Sequence, residues 1–97
     1  MIAIDVEWKH DFAAEPVRLV SVLDNDRLEL RKLEFFRDGR VGSSDGKRST
    51  QGIQLGTLPV PALDAINADS QFEAKVMTLE AFETLWSFHV PCGDRPG

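Results

Sequence analysis

The sequence contains few of the side chains from which catalytic and metal sites are built. Its 97 residues include one cysteine and two histidines. The single cysteine, Cys92, excludes an intramolecular disulfide, and two histidines leave few groups that titrate near neutral pH. Cys-x-x-Cys and His-x-x-x-His pairs, a calcium-binding loop and the glycine-rich phosphate-binding motifs are all missing from the sequence. We therefore expect no metal ion and no cofactor.

Long apolar runs are missing as well. No segment approaches the roughly 18 consecutive apolar residues of a membrane-spanning helix, and the start of the sequence lacks the basic region and cleavage site of a signal peptide. These absences predict a cytoplasmic protein that does not enter a membrane. The length and ordinary composition indicate a single domain at residues 1–90 and a flexible tail at residues 91–97.

The net charge of −5 is distributed unevenly along the chain. Residues 1–48 carry ten acidic and nine basic side chains, whereas residues 49–97 carry six acidic and two basic ones. Nucleic acids are unsuitable partners, because phosphate contacts require lysine and arginine. A basic protein is a better candidate, since opposite charges accelerate encounter.

The first half of the sequence has the patterns of β-strands. Residues 2–9 alternate between apolar and polar side chains, the period of two of a half-buried strand. Residues 17–23 are rich in β-branched side chains and predict a second strand. Residues 28–37 fit a third strand, although their composition also permits a helix.

Two turns follow from the residues between these segments. Asn25 and Asp26 can supply the geometry of a tight polar turn. Asp38-Gly39 is a two-residue hairpin signal, which favours a strand before it and predicts a return strand at residues 40–42.

The second half changes character. Residues 43–52 have the composition of a loop, and residues 53–55 predict a short strand. Residues 61–67 predict a short helical turn. Residues 72–77 predict a last strand, although a helix fits them nearly as well.

The C-terminal helix is the clearest element. Thr78 is suited to be its N-cap, and Leu79, Phe82 and Trp86 form one apolar stripe at helical spacing. We expect this helix to run from Leu79 to about Phe88. Together the elements predict an α+β fold: an antiparallel sheet of four to five strands with a C-terminal amphipathic helix packed on one face.

Carboxylates form two candidate surfaces in the sequence. A solvated face is the simpler interpretation of both, and a contact surface for a basic protein is the functional one. The partner-binding candidates are Asp64, Asp69, Glu73, Glu80 and Glu83 in the acidic half, and Asp24 and Asp26 at a turn.

His10 and Asp11 are the only candidate acid–base pair. A carboxylate next to a histidine can orient its ring for proton transfer. The structural interpretation is that His10 caps a carbonyl group at a strand end or packs beside Trp8. No nucleophile motif accompanies the pair, so we favour the structural role.

The sequence resembles the DUF6881 family of uncharacterised small bacterial proteins over about residues 2–86. The second half resembles it through LGTLPVPALDAINAD and the helix that follows. In the first half the matching residues are Trp8, His10, Asp11, Phe12, Glu15, Pro16, Val17, Leu23, Asp24, Arg27, Glu29, Arg31, Lys32, Glu34, Phe36, Asp38 and Gly39.

The resemblance implies no activity, but it draws attention to a set of polar residues at strand ends. Such a set fixes the sheet or lines a small binding cleft. Members of the family are similar in size and acidity to the immunity proteins of bacterial toxin systems, which is an analogy and not a property of a site. The polar cluster candidates are His10, Asp11, Arg27, Glu29 and Arg31.

We therefore predict a non-enzymatic protein-binding module, an immunity or antitoxin-type protein that blocks a basic toxin domain by covering it with an acidic surface. The first alternative is a small enzyme or ligand-binding protein that uses the His10 and Asp11 cluster. The second alternative is a regulatory or inhibitor domain that forms a homodimer through sheet edges, so both a monomer and a homodimer remain open.

Overall fold

The computed structural model describes residues 1–50 and 52–90, and the predicted tail at residues 91–97 lies outside them. The described chain forms one five-stranded antiparallel sheet with strand order β4-β3-β2-β1-β5 and two helices. The predicted α+β fold is confirmed. The elements are β1 (Ile2–Trp8), β2 (Pro16–Leu23), β3 (Glu29–Phe36), β4 (Val41–Ser44), α1 (Leu63–Asn67), β5 (Phe72–Met77) and α2 (Leu79–His89).

Both faces of the sheet carry apolar side chains. On one face, here the α2 face, a buried cluster around Val20 and Leu33 packs against Phe82, Leu85 and Trp86 of α2. On the opposite face, here the α1 face, Val60, Leu63 and Ile66 pack against a second buried cluster of Ile4, Val6, Leu23 and Ala74. Alternation along β1 directs successive side chains to opposite faces, and four consecutive residues of this strand, Ala3 to Val6, are buried.

Helix α2 forms where its local signals predict. The Thr78 hydroxyl accepts the backbone N–H of Ala81 at 3.0 Å, so Thr78 is the N-cap. Phe82 is completely buried and stacks on Trp86 with 5.8 Å between ring centroids. The predicted packing of this helix on one sheet face is confirmed.

Both predicted hairpin turns differ in detail from the structure. After β3 the loop has three residues. The Phe36 carbonyl accepts the Gly39 N–H, and the Phe36 N–H donates to the Arg40 carbonyl. Gly39 has a φ of +96°. The extra residue gives the bulge that accompanies three-residue hairpin loops. The β2–β3 turn has the same hydrogen-bond pattern, but its left-handed residue is Arg27 (φ +63°), and not Asn25 or Asp26.

Two segment predictions in the middle of the chain are wrong. The predicted loop at residues 43–52 begins too early, because Ser43 and Ser44 belong to β4. The predicted strand at residues 53–55 is irregular chain that crosses the α1 face. There Ile53 is buried, and the Lys32 ammonium donates to the Gln54 carbonyl at 2.9 Å, so these residues cover the sheet instead of extending it.

Groups from elsewhere in the chain bond to both edges of the sheet. At the β5 edge, the Asn67 side chain accepts from the Ala74 N–H at 2.6 Å and donates to the Ala74 carbonyl at 3.0 Å. At the β4 edge, the Thr50 N–H donates to the Ser43 carbonyl at 2.8 Å, and the Thr50 hydroxyl accepts the Ser43 N–H at 3.0 Å. These contacts occupy the backbone groups of one residue at each edge, the positions where sheets extend.

Candidate functional site

A cleft of about 570 Å³ opens on the α2 face, where α2 does not cover the strands. We call it the charged cleft. Its lining is drawn from three strands, the loop after β1 and the β3–β4 hairpin. The lining residues are Asp5, Glu7, Trp8, Lys9, His10, Val17, Arg18, Arg37, Glu73 and Lys75.

One ion pair lies at the centre of the charged cleft. Arg18 donates from Nε and Nη2 to the two carboxylate oxygens of the buried Asp5, at 2.9 and 2.7 Å. The guanidinium also lies 4.9 Å from the centroid of the Phe35 ring. The hydrogen bonding of Arg18 to the Asp5 carboxylate, which accepts, raises the pKa of Arg18 above its ordinary value. Arg18 is therefore fixed in position and neutralised by an internal partner.

The remaining charges of the cleft alternate across two strands. Glu7 and Glu73 are directly opposite each other in the β1–β5 register, an arrangement that is unfavourable for like charges. Lys9 and Lys75 occupy the diagonal positions beside them, so these four charges balance in number. Arg37 is the surplus cation, and its Nη2 donates to the backbone carbonyl of His10.

His10 has a structural role. Its Nδ1 accepts the Phe12 N–H at 2.9 Å, and its Nε2 lies 2.7 Å from the Pro16 carbonyl oxygen, to which it donates. The ring also lies 4.2 Å from the Trp8 ring. Both nitrogens are thus occupied by backbone groups, and the neighbouring Asp11 is exposed and does not orient the ring. The candidate acid–base pair is not formed, and His10, for which a structural role was favoured, holds the loop between β1 and β2.

An aromatic group adjoins this loop. Trp8 stacks on Phe72 with 5.8 Å between centroids, and Phe12 is 62% exposed beside them. The Trp8 indole N–H is buried and has no hydrogen-bond partner in the described part of the chain. This group buries the end of β1, and it exposes one large ring next to the charged cleft.

The five residues of the predicted polar cluster lie at different places in the fold. His10 follows the end of β1, whereas Arg27 lies at the β2–β3 turn, beyond the start of β1. Arg31 pairs with Glu83 of α2 and lies 4.8 Å from the Phe82 ring centroid. These five residues therefore do not form the single cluster that was considered from the family resemblance, because pairing of the strands places them at different ends and faces of the sheet.

Arg27 joins two segments that are distant in sequence. Its Nε and Nη2 donate to the carbonyl oxygens of Val60 and Pro61, both at 2.7 Å, and its own carbonyl accepts the Val60 N–H at 2.8 Å. The β2–β3 turn is thereby attached to the chain that leads into α1. Val60 and Pro61 immediately precede Ala62, the N-cap of that helix.

Glu29 belongs to a buried ionic network on the α1 face. The Lys32 ammonium lies 3.0 Å from Glu29 and 3.5 Å from Glu34, and Glu29 also accepts the Gly56 N–H at 2.6 Å. Burial raises the pKa of Glu34 above its ordinary value, although Lys32 acts in the opposite direction. The network fastens residues 54–56 onto the sheet.

A second concavity, of about 360 Å³, lies on the α1 face between the sheet and α1. We call it the α1 groove. It exists because α1 has no fully buried residue and does not fill the space above the strands. Most of its lining is apolar, and its charged members are both carboxylates. The lining residues are Ile4, Val6, Leu19, Ser21, Glu29, Val60, Pro61, Ala65, Ile66, Asp69 and Phe72.

The predicted acidic surface of the second half is divided between the two faces. Asp69 lines the α1 groove and Asp64 lies in the first turn of α1. Glu73 lines the charged cleft, while Glu80 and Glu83 belong to α2 on that same face. These five carboxylates therefore do not form one patch.

The carboxylates of the β2–β3 turn belong to the same side of the sheet as α1. Arg27 attaches the turn that contains Asp24 and Asp26 to the residues preceding α1. The Asp24 carboxylate accepts the N–H groups of Asp26 and Leu28, at 2.8 and 2.9 Å, and so shapes the turn. Asp26 remains exposed. The structure thus places the turn with Asp24 and Asp26 beside the segment that leads to Asp64, a member of the other predicted acidic set.

Three of the predicted carboxylates already have internal partners. Asp24 is used in its turn, Asp69 accepts the Gln71 N–H at 2.9 Å, and Glu83 is bonded to Arg31, which lowers the pKa of Glu83. Glu80, Asp26 and Asp64 are exposed, and no side-chain hydrogen bond or ion pair is formed by their carboxylates within the described residues.

Sequence reasoning missed both concavities. Alternation along β1 placed Asp5, Glu7 and Lys9 on one face, which was a usable signal. Arg18 and Arg37 reach the same cleft only through strand pairing, and the α1 groove depends on where a short helix rests. Neither relation has a local sequence pattern.

Within residues 1–50 and 52–90, histidine, cysteine and carboxylate side chains do not converge in groups of three that could hold a metal ion. In the same part of the chain, no helix has the length and apolarity needed to cross a membrane. A family model described as a domain of unknown function, DUF6881, matches residues 3–91. No curated protein and no solved structure matches the chain.

Proposed function

We propose a protein-binding role for this chain, which belongs to the DUF6881 family. In this proposal it is a non-enzymatic immunity or antitoxin-type protein of the cytoplasm. Its carboxylates enter the basic substrate groove of a toxin domain and take the place of the phosphates that the groove would bind. The toxin is then blocked sterically, without chemistry on the part of this chain.

The observation that carries the proposal is the composition of the α1 side. Arg27 brings the turn with Asp26 next to the chain that leads to Asp64, and Asp69 follows at the end of the same helix. The lining of the α1 groove contains two carboxylates and no lysine, arginine or histidine among the described residues. A basic surface would meet mostly apolar side chains with carboxylates around them.

Exposed apolar side chains support the same surface. Leu58, in the segment before α1, is 77% exposed, and Val76 of β5 is 61% exposed. Val76 lies opposite Ile4 in the register, so its side chain is on the α1 face. Apolar anchors surrounded by charges are typical of protein interfaces, whereas the charged cleft on the opposite face has nearly balanced charges.

The test is co-expression with the product of the neighbouring gene, followed by calorimetric titration of the two purified proteins at two salt concentrations. We expect rescue of growth and a complex that weakens at high salt, because exposed charges are screened. Asp26→Lys and Asp64→Lys should each weaken binding by at least about tenfold, which corresponds to about 1.4 kcal/mol.

The matched control is Glu73→Lys, which reverses an exposed carboxylate on the opposite face and should leave the affinity unchanged. Glu83 is unsuitable for this purpose, because its reversal would break the internal pair with Arg31. Binding that is insensitive to salt and to both aspartate reversals would refute recognition by the acidic surface. Absence of rescue and of a complex would refute the immunity role.

A second candidate is small-ligand binding in the charged cleft. The observation in its favour is Arg37, a surplus cation whose position is fixed by the His10 carbonyl at the side of the charged cleft. Titration with citrate, followed by NMR, should shift cleft resonances in the native protein and not in Arg37→Gln. A Lys47→Gln variant, whose side chain is not part of the cleft lining, is the control. Absence of shifts at 10 mM citrate, a concentration that would nearly saturate a site with a Kd of about 1 mM (about 4 kcal/mol), would remove this candidate.

A further inference from the structure

We propose that the α1 groove receives an apolar group that has a positively charged group directly beside it. The inference rests on the proposed function in one respect: it identifies this group as an aromatic or aliphatic side chain of the partner next to a lysine or arginine. The chemistry of the groove itself can be tested without the partner.

The first step concerns why the groove is empty space within the fold. Helix α1 has five residues and no fully buried one. Attachments at its two ends hold it in place, from Arg27 to Val60 and Pro61 before the helix, and from Asn67 to Ala74 at its last residue. A helix that is held by polar bonds at its ends does not need to pack tightly along its whole length, so an open groove remains between part of α1 and the strands.

The second step concerns size. The groove has a volume of about 360 Å³. A closed apolar cavity of about 150 Å³ is enough to bind benzene, so the larger and open α1 groove has room for an indole ring or a leucine side chain with its neighbouring atoms.

The third step concerns polarity. Val6, Leu19, Ile66 and Phe72 present apolar surface to the groove, and burial of an apolar group against such surface is favourable. The Ser21 hydroxyl lies 3.3 Å from Glu29 and has a partner there. The floor therefore accepts an apolar group without leaving a buried polar atom unpaired.

The fourth step concerns charge. Glu29 is committed to Lys32 and to the Gly56 N–H. Asp69 is exposed, and it uses Oδ1 to accept the Gln71 N–H. Its second carboxylate oxygen has no partner in the described chain and can face a ligand. A cation attached to the apolar group would meet this oxygen, whereas an anion in the same place would be repelled.

The test uses three probes that share one ring and differ in charge: tryptamine, indole and indole-3-propionate. Each is titrated into the isotopically labelled protein and followed by NMR. We expect shifts at Leu19, Ile66 and Phe72, with tryptamine binding at least threefold more tightly than indole and indole-3-propionate binding most weakly. Equal affinities, or the reverse order, would overturn the inference.

Two variants locate the charge. Asp69→Asn keeps an acceptor for the Gln71 N–H and should remove the preference for tryptamine while leaving indole binding unchanged. Asp64→Asn removes a carboxylate of α1 that lies outside the groove lining and should preserve the preference. Loss of the preference in Asp64→Asn, or its retention in Asp69→Asn, would contradict the role of Asp69.

A third variant, Ala65→Phe, places a ring in the groove and should abolish the shifts for all three probes. Continued binding would contradict the location.

The outcomes of these experiments separate the groove inference from the proposed immunity role. A complex with the neighbouring gene product but no selective probe binding would overturn only the groove inference. Selective probe binding without any complex would overturn the immunity role and leave the groove chemistry supported.

Discussion

The attachment of the β2–β3 turn by Arg27 leads to a prediction whose magnitude can be worked out. Arg27→Ala removes two hydrogen bonds to the Val60 and Pro61 carbonyls, both 2.7 Å long. At about 0.5–1.5 kcal/mol net for each bond, the loss in free energy of unfolding is about 1–3 kcal/mol. Alanine keeps the left-handed backbone geometry, φ +63°, and therefore keeps its steric cost.

Arg27→Gly removes the same two bonds but relieves the backbone. A non-glycine residue in the left-handed region costs about 1–2 kcal/mol, and glycine loses about 0.4–1 kcal/mol of this gain through the greater freedom of the unfolded chain. The glycine variant should therefore be the more stable of the two, by up to about 1.5 kcal/mol.

Urea denaturation followed by tryptophan fluorescence measures both differences, since Trp8 and Trp86 lie in different parts of the fold. A stability of Arg27→Ala equal to that of the native chain would show that the two hydrogen bonds contribute nothing. An alanine variant more stable than the glycine variant would refute the left-handed geometry. Arg27→Lys, which keeps the charge but loses the planar pair of donors, should lie between the native chain and alanine.

Three further substitutions test the core and the ionic groups. Phe82→Ala, at a completely buried ring, should lose about 3–5 kcal/mol in urea denaturation, and a loss below about 1 kcal/mol would contradict its place in the core. Because burial raises the pKa of Glu34, the stability that its protonated form contributes is lost as pH rises through the folded pKa. Glu34→Gln should therefore stabilise the fold at pH 7 and have little effect at pH 3. Equal effects at the two pH values would contradict this reasoning. The pKa of Glu83 is lowered by Arg31, so the contribution of this pair to stability is present at neutral pH and lost as pH falls through the folded pKa. Glu83→Gln should therefore cost about 0.2–1 kcal/mol of stability at pH 7 and nothing in thermal unfolding at pH 2. A cost that persists at pH 2 would exclude the ion pair as its source.

Elements with complete local signals were predictable from the sequence. The alternation of residues 2–9 predicts β1, and the Thr78 cap with its apolar stripe predicts α2, because each signal lies within the element that it describes. Residues 72–77 fitted a strand and a helix almost equally. They form β5 because the open side of β1 provides hydrogen-bond partners for them.

Elements that depend on distant partners were not predictable. Residues 53–55 have strand composition, yet Lys32 and Glu29 bind the backbone of Gln54 and Gly56 and direct this segment across the sheet. The left-handed position in the β2–β3 turn falls on Arg27 against its local preference, because its side chain gains partners in a segment more than thirty residues away. The two candidate sites depend on such pairings, so their members are scattered in the sequence.

The position of β1 in the sheet has a consequence for folding kinetics. Strands β1 to β4 are joined by neighbouring connections, whereas the residues paired between β1 and β5 lie more than sixty positions apart. Closing so long a loop is slow relative to forming the hairpins, and until β5 arrives the backbone groups on that side of β1 are unpaired. During this interval the β5 strand of a second molecule could pair there instead. Asn67 and Ala74, by contrast, lie only seven positions apart and can bond before β5 docks, so the outer edge of β5 can be covered while the open side of β1 still lacks its partner.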